Sequence, residues 1–383
     1  MSVMIWLFGL LFATVVMVAI GDRVGLPWPV LLTIVTAGVI FIPGVPSAGS
    51  LSQFSHLMLP IFIPPLLWAL ARRASWAQVR RQWRSIIMLS VLLVIATAVA
   101  VGLTVSWLVP TLSVAGAMMI GAAISPPDPV AVDAVAEPAG VPRRLMNTLQ
   151  TEGMFNDAAS ILVFNLALGV LTQGETVKWW EAIWEFGYSS GAAVLIGWFI
   201  GRGAAFLSSW MTSATARNAF TWVIPFITYL VAEEIHASGV IAVVIAAIEY
   251  NSRVAIGAED RLSGTVFWEI VELLFTGVAF GLIGIMARDA IFTVGSDWGE
   301  AVMLGVVLSA VAIVVRGLWF LGMYATNKYT RYRVGGPLRL QETLLLTWAG
   351  MRGLVTLALI LSIPDTGDFG LYQEAPVVAL VVL

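Results

Sequence analysis

The chain has 383 residues, of which 59% are hydrophobic and only 11% are charged, with a formal net charge of −3. A soluble domain carries roughly 25% charged residues, so this composition excludes an ordinary soluble protein and indicates a polytopic membrane protein. The absence of cysteine excludes disulfides and thiolate metal sites, and nothing in the charge balance points to a nucleic-acid partner.

Apolar runs of about 17–25 residues recur along the whole chain and predict an all-α fold of transmembrane helices. The first run has no basic start and no cleavage site, which predicts a retained helix rather than a signal peptide. The last run is shorter than the ~20 residues that cross a bilayer, which indicates either a truncated sequence with a missing C-terminal tail or a final helix that ends early. We predict about thirteen spans, at 3–20, 28–42, 53–71, 85–109, 113–136, 145–171, 187–208, 219–235, 238–250, 267–286, 299–323, 340–362 and from about Tyr372.

The basic residues predict the orientation of these spans, because cytoplasmic loops are enriched in Lys and Arg. Of the 20 Lys and Arg residues, only Lys178 and Arg288 lie in the loops that follow the even-numbered spans. Arg316 and Arg352 lie within spans, and all the others fall in the alternate loops. This pattern predicts basic loops in the cytoplasm, an outside N-terminus and a location in the plasma (inner) membrane.

Two of the predicted spans contain residues that interrupt a helix. The span at 113–136 holds three prolines around Asp128, and proline removes backbone donors from a helix. The span at 340–362 holds Gly350 and Gly353 on either side of Arg352. Interrupted helices at matching places in two halves predict inverted six-helix repeats, in which two discontinuous helices cross at the membrane midplane.

Asp128 and Asp157 are both predicted near the middle of a ~30 Å hydrocarbon core. An unpaired charge there costs at least ~2.5–3.5 kcal/mol, so such a residue is protonated, paired or in contact with water or an ion. A buried carboxyl group can hold a proton near neutral pH, or it can bind a small hard cation through its oxygens. Asp157, which follows Asn156, is the stronger candidate for a site that exchanges a cation for a proton.

The other ionisable residues within or near the spans have structural explanations that compete with functional ones. Glu152 and Arg352 are each costly alone, which favours a structural salt bridge between them. Arg316 is expected either to pair with an acidic neighbour or to interact with helix ends. Glu233 and Asp133 are candidates for an ion path, and an interfacial location or a solvated helix end explains them equally well. We interpret three polar points in apolar helices as packing contacts rather than ligands: Asn165, Thr356 and Ser160.

Several motifs resemble those of the monovalent cation/proton antiporters, in the sodium/proton exchanger branch. They are F-N-D-A at Asp157, S-P-P-D-P-V-A-V at Asp128, I-P-P-L-L at Pro64, A-E-E-I-H-A-S-G-V at Glu233 and W-A-G-M-R-G-L-V-T-L-A-L at Arg352. The matches occur in order across nearly the whole chain.

The resemblance implies roles for individual residues and an organisation of the chain. Asp157 would carry the ion and the proton, Asn156 and Asp128 would brace the crossing helices, and Asp128 would contact the ion through water. The single transmembrane domain 1–383 would comprise core helices at about 85–171 and 299–383, and dimerisation helices at about 1–71 and 187–286. The resemblance further implies a homodimer, electroneutral exchange and no organic cofactor.

This sequence departs from the family pattern at positions that often carry a hydroxyl group. Pro127 stands where the family often has Thr or Ser before Asp-Pro, and Gly153 stands where a serine commonly follows the glutamate. We therefore expect an exchanger of Na⁺ or Li⁺ for H⁺, with K⁺/H⁺ antiport as an alternative. The residues are also compatible with a solute symporter of the same architecture and, remotely, with an intramembrane aspartyl protease that uses Asp128 and Asp157 as its dyad.

Overall fold

The computed structural model describes residues 2–38, 55–128, 132, 141–173, 179–254, 258–294, 298–330, 336–363 and 375–382. Within these ranges all regular structure is helical, which confirms the predicted all-α class. The helices are α1 (Ser2–Val24), α2 (Trp28–Gly38), α3 (Ser55–Ala71), α4 (Trp76–Ile86), a π-helical segment (Ile87–Leu92), α5 (Leu93–Leu108), α6 (Val114–Ile124), α7 (Arg143–Gly153), α8 (Asn156–Gln173), α9 (Trp179–Ser209), α10 (Ala214–Glu234), α11 (Gly239–Arg253), α12 (Ala258–Val294), α13 (Trp298–Tyr329), α14 (Leu340–Trp348), α15 (Leu354–Leu361) and α16 (Ala375–Val382).

Six helical stretches in the described residues are long and apolar enough to cross a membrane. The continuous stretch Trp76–Leu108, which joins α4, the π-helical segment and α5, has the highest mean hydropathy, at 2.8. Shorter apolar helices occur at Trp28–Gly38, Leu59–Ala71 and Val114–Ile124. Each of the thirteen predicted spans overlaps at least one of the helices, and the chain is therefore an integral membrane protein.

The helices fall into two compact units. The first unit comprises Met1–His56, Arg84–Thr176 and Gly277–Leu383, and the second comprises Leu57–Trp83 and Val177–Thr276. In the second unit, the backbones of α9 and α11 approach closely at Gly197 and Gly201, where an added Cβ would lie only 2.4 and 2.6 Å from carbonyl oxygens of α11. Small residues at such spacing are the usual contact between membrane helices, because no hydrophobic effect drives association in lipid.

The first unit contains both interruptions that the sequence predicts and two irregularities that it does not. α6 ends at Ile124 and is followed by non-helical residues, and α14 and α15 are separated by 349–353. The predicted span at 145–171 corresponds to the candidate membrane span Arg143–Thr172, but a turn at Met154–Phe155, which the sequence analysis does not predict, separates α7 from α8 within it. The second irregularity is the π-helical segment, a type of interruption that often accompanies functional sites.

Candidate cation-binding site

The two predicted interruptions cross each other within the first unit. The first interruption follows Ile124 at the end of α6, and the second is the segment 349–353 between α14 and α15. The backbone N–H of Asp128 donates a hydrogen bond to the Met351 carbonyl oxygen, with a donor–acceptor distance of 2.8 Å. Arg352 Nε donates to the carbonyl oxygen of Ile124, the last residue of α6. Backbone groups that have lost their helical partners are thus partly satisfied by the opposite segment, as irregular backbone at membrane depth requires.

The glycines of the second interruption permit this close approach. A Cβ placed on Gly353 would overlap the carboxylate of Asp128. A Cβ on Gly350 would lie 2.6 Å from Arg316 Cδ, well inside van der Waals contact. Both positions therefore require glycine because another side chain occupies the space.

Asn156 and Ser160 attach α8 to the first interruption. Asn156 Nδ2 donates to the Pro127 carbonyl oxygen at 2.6 Å, and Ser160 Oγ donates to the Ala122 carbonyl oxygen at 2.8 Å. Both side chains are fully buried. Pro127 and Ala122 lie on either side of the carboxyl end of α6, so α8 is held beside the point where α6 stops.

Asp157 lies in the first turn of α8 and is 7% exposed. Within the part of the chain that the structure describes, its carboxyl group makes no hydrogen bond or ion pair. Asp128 lies close enough to interact with it electrostatically. The amino end of a helix favours a negative charge, whereas burial favours the neutral form. A carboxyl group held between these opposing effects is suited to bind a proton or a cation in turn.

The predicted salt bridge between Glu152 and Arg352 is wrong, because the partner of Glu152 is Arg316. The two guanidinium Nη atoms of Arg316 donate to the two carboxylate oxygens of Glu152 at 2.5 and 3.0 Å. The side chains of Arg316 and Glu152 are 3% and 1% exposed. Arg316 Nε donates to the Leu346 carbonyl oxygen at 2.9 Å, so this arginine both pairs with an acidic neighbour and contacts a helix end.

Arg352 instead lies between the carboxyl ends of two short helices. Besides the bond to Ile124, its Nη1 donates to the carbonyl oxygen of Gly350, two residues beyond the end of α14. The carboxyl end of a helix carries partial negative charge, so a fixed cation stabilises both ends. Arg352 is buried, and Glu152 lies close enough to act on it electrostatically without contacting it.

The other candidates have the following locations. Glu233 Oε1 accepts a hydrogen bond from the backbone N–H of Gly239 at 3.0 Å, at the amino end of α11 in the second unit. Asp133 lies outside the described residues.

Two of the polar residues in apolar helices differ in their surroundings. Asn165 is exposed on α8. Thr356, in the first turn of α15, is 1% exposed, and its hydroxyl oxygen has no hydrogen-bond partner in the described chain.

Sequence reasoning missed one further contact of this site, which involves the π-helical segment. Ser90, within that segment, donates to the Glu152 carbonyl oxygen at 2.8 Å. Nothing in the sequence of Ile87–Leu92 marks a π-helix. The turn at Met154–Phe155 did have a signal, because an isolated glycine within a helical pattern, here Gly153, can mark the end of a helix.

A buried carboxylate beside two crossing, interrupted helices defines a class of membrane protein, the secondary transporters whose site lies at the midplane. Comparison with known proteins identifies the family within this class. The family model for the sodium/hydrogen exchanger, transmembrane, matches residues 10–383, and the chain belongs to this family. The expected family of transporters is thereby confirmed, and nothing in this family supports the aspartyl protease hypothesis.

Individual relatives and solved structures agree with this family. The chain is 28% identical over 344 residues to the Na⁺/H⁺ antiporter ApNhaP of Aphanothece halophytica, with 88% of this chain and 63% of the relative covered. It is 30% identical over 376 residues to the sodium, potassium, lithium and rubidium/H⁺ antiporter of Bacillus subtilis, with 88% and 55% covered. It thus spans about half to two thirds of the length of these relatives. The sodium proton antiporter MjNhaP1 of Methanocaldococcus jannaschii superposes with a TM-score of 0.74 at 14% identity, covering 100% of this chain and 94% of that one, which shows a shared fold.

Proposed function

We propose that this protein exchanges Na⁺ for H⁺ across the membrane, and that Asp157 binds the two ions in turn. The observation that carries the proposal is the Asp157 carboxyl group, which is buried and has no partner in the described chain, beside Asp128 and the crossing segments. An unpartnered carboxyl group at membrane depth is costly unless an ion or a proton neutralises it.

The exchange follows from the competition of two ligands for one group. A proton on Asp157 removes the negative charge that a cation needs, and a bound cation excludes the proton. Asp128 contributes charge, directly or through water, and unwound carbonyl oxygens complete the ligand shell. In this mechanism Asn156 holds the first interruption against α8 through the Pro127 carbonyl. Glu152 and Arg316 neutralise each other within the same unit.

The range of cations is a second question, and one relative favours a broader range than Na⁺. The name of the Bacillus subtilis relative includes potassium, lithium and rubidium besides sodium, whereas that of ApNhaP names Na⁺ alone. Both have similar identity to this chain, so K⁺/H⁺ antiport remains the alternative to Na⁺ or Li⁺ exchange. A solute symporter is less well supported, because the polar groups at the crossing are few and small.

The wider mechanism is part of the same proposal. Alternating access would expose Asp157 to each side in turn, by movement of core helices (about 85–171 and 299–383) against dimerisation helices (about 1–71 and 187–286). The family resemblance supports a homodimer and electroneutral exchange. The distribution of basic loops supports a plasma (inner) membrane protein with an outside N-terminus.

Transport by purified protein in liposomes that contain a pH-sensitive dye tests the proposal. An imposed pH gradient is followed by addition of NaCl, LiCl, KCl or choline chloride. We expect Na⁺ or Li⁺, but not choline, to drive proton movement, and Asp157→Asn to abolish it because the amide cannot hold a negative charge. The half-saturating Na⁺ concentration should rise as the pH falls, since protons compete for the same carboxylate.

A matched control is Asn165→Ala, which changes an exposed polar residue of the same helix. This variant should transport like the wild type, so that loss of activity in Asp157→Asn is attributable to the site rather than to α8. Cation-driven proton movement at the wild-type rate in Asp157→Asn would show that Asp157 does not carry the ions.

A further inference from the structure

The hydroxyl group of Thr356 differs from most other threonine hydroxyls in the described helices. In the interior of a helix these hydroxyls donate to the carbonyl oxygen four residues earlier, as in Thr97 to Leu93, Thr228 to Ile224 and Thr347 to Thr343. Thr356 is the third residue of α15, so the residue four before it, Arg352, lies in the non-helical interruption. Its hydroxyl oxygen is buried and has no partner among the described residues.

The location of Thr356 places this hydroxyl close to the crossing. Gly353, the N-cap of α15, lies against the Asp128 carboxylate. Thr356 lies three residues, or about one helical turn, beyond Gly353, in the first turn of α15. α15 also packs against α8, the helix that carries Asn156 and Asp157.

A second buried oxygen at the crossing also lacks a partner. Asn156 uses its Nδ2 for the Pro127 carbonyl, but its Oδ1 accepts no hydrogen bond within the described chain. Buried polar atoms are nearly always satisfied by protein, water or an ion. An amide oxygen, a threonine hydroxyl and an unpartnered carboxylate are all hard oxygen donors, the type of ligand that small hard cations bind.

We propose that the Thr356 hydroxyl supplies an oxygen to the transported cation and thereby determines the order of preference among Na⁺, Li⁺ and K⁺. This inference rests on the proposed exchange function. A hydroxyl oxygen interacts more strongly with a bound cation than with a neutral carboxyl group, so its removal should weaken cation binding more than proton binding. This role differs from the packing contact that the sequence analysis assigned to Thr356.

Thr356→Val and Thr356→Ser distinguish the effect of the hydroxyl group on transport from the effect of the side-chain volume. Valine keeps the volume and removes the oxygen, so we expect the half-saturating Na⁺ concentration to rise about tenfold, the effect of one lost polar contact to a charged group. The maximal rate should stay near that of the wild type because Asp157 is intact, and the ratio of Na⁺ to K⁺ half-saturation should change. Serine keeps the oxygen, so Thr356→Ser should have the half-saturating Na⁺ concentration and the Na⁺ to K⁺ ratio of the wild type.

Thr276→Val is the matched control. Thr276 is 3% exposed and its hydroxyl oxygen also has no described partner, but it lies in the second unit. This variant should leave the half-saturating concentrations unchanged. If Thr356→Val does not fold, Thr356→Ala removes the same oxygen with a smaller side chain and decides the matter in its place.

The possible outcomes distinguish this inference from the exchange function itself. Unchanged half-saturation for all three cations in Thr356→Val, or a lower maximal rate with an unchanged Na⁺ to K⁺ ratio, would overturn the inference and leave exchange standing. An equal shift in Thr276→Val would overturn it as well. Failure of the wild type to move protons with any cation would remove the exchange function and this inference together.

Discussion

Glu152 and Arg316 form a buried ion pair whose two members depend on each other. Removal of one member leaves an uncompensated charge, which costs about 3–5 kcal/mol, whereas replacement of both by neutral residues is often nearly neutral. We therefore expect Arg316→Met to lower the melting temperature of the detergent-solubilised protein strongly. The double variant Glu152→Gln with Arg316→Met should recover most of the loss.

The exposed pair between Arg73 and Glu272 is the control for this measurement. Its N–O distance is 2.6 Å, but the two side chains are 45% and 20% exposed. Such pairs contribute about 0–1 kcal/mol, so Arg73→Met should change the melting temperature little. If Arg316→Met melted like Arg73→Met, or if the double variant were no more stable than the single one, the mutual dependence would be wrong.

The crossing of two interrupted segments is the element that brings the site residues together, and the Asp128 carboxylate lies against Gly353 there. Alanine at this position would displace the Asp128 carboxylate, because its Cβ would occupy the same space. We expect Gly353→Ala to reduce cation-driven proton movement at least about tenfold, since misplacement of a ligand by about 1 Å is costly in a preorganised site.

Gly317→Ala, on α13 of the same unit, is the matched substitution. The nearest atom to its new Cβ would be Thr347 Cγ2 at 3.4 Å, which is ordinary contact. Exchange in this variant should equal that of the wild type. Exchange at the wild-type rate in Gly353→Ala would instead show that the Asp128 carboxylate can move without consequence.

The sequence predicted the elements of the site better than the pairing of their side chains. Proline and glycine act on the local backbone, so the interruptions around Asp128 and Arg352 were predictable from the positions of these residues in the sequence. The choice of Arg316 rather than Arg352 as the partner of Glu152 was not. Hydropathy gives the depth of a residue along a span, but a helix that is apolar on all sides gives no signal for the direction in which a residue points.

At the scale of the whole molecule, the absence of cysteine makes the predicted orientation directly measurable. Ser75 lies between α3 and α4 in a predicted cytoplasmic loop, and Thr111 lies between α5 and α6 on the predicted outer side; both are exposed. We expect Thr111→Cys, but not Ser75→Cys, to react with a membrane-impermeant maleimide added to intact cells.

Inverted membrane vesicles supply the control, because they expose the opposite face. The labelling pattern should reverse there, and the unsubstituted protein should remain unlabelled in both preparations. Labelling of Ser75→Cys in intact cells would contradict the outside N-terminus and the span count on which it depends.

The burial of the pair between Glu152 and Arg316 has a consequence for how the protein responds to ionic strength. Dissolved salt screens exposed charges within about 10 Å at 0.1 M, but it screens buried pairs much less. Changes in salt concentration should therefore alter the contribution of this pair to stability very little. Stabilisation by NaCl beyond that given by choline chloride at equal ionic strength therefore measures occupancy of the cation site, and it should vanish in Asp157→Asn.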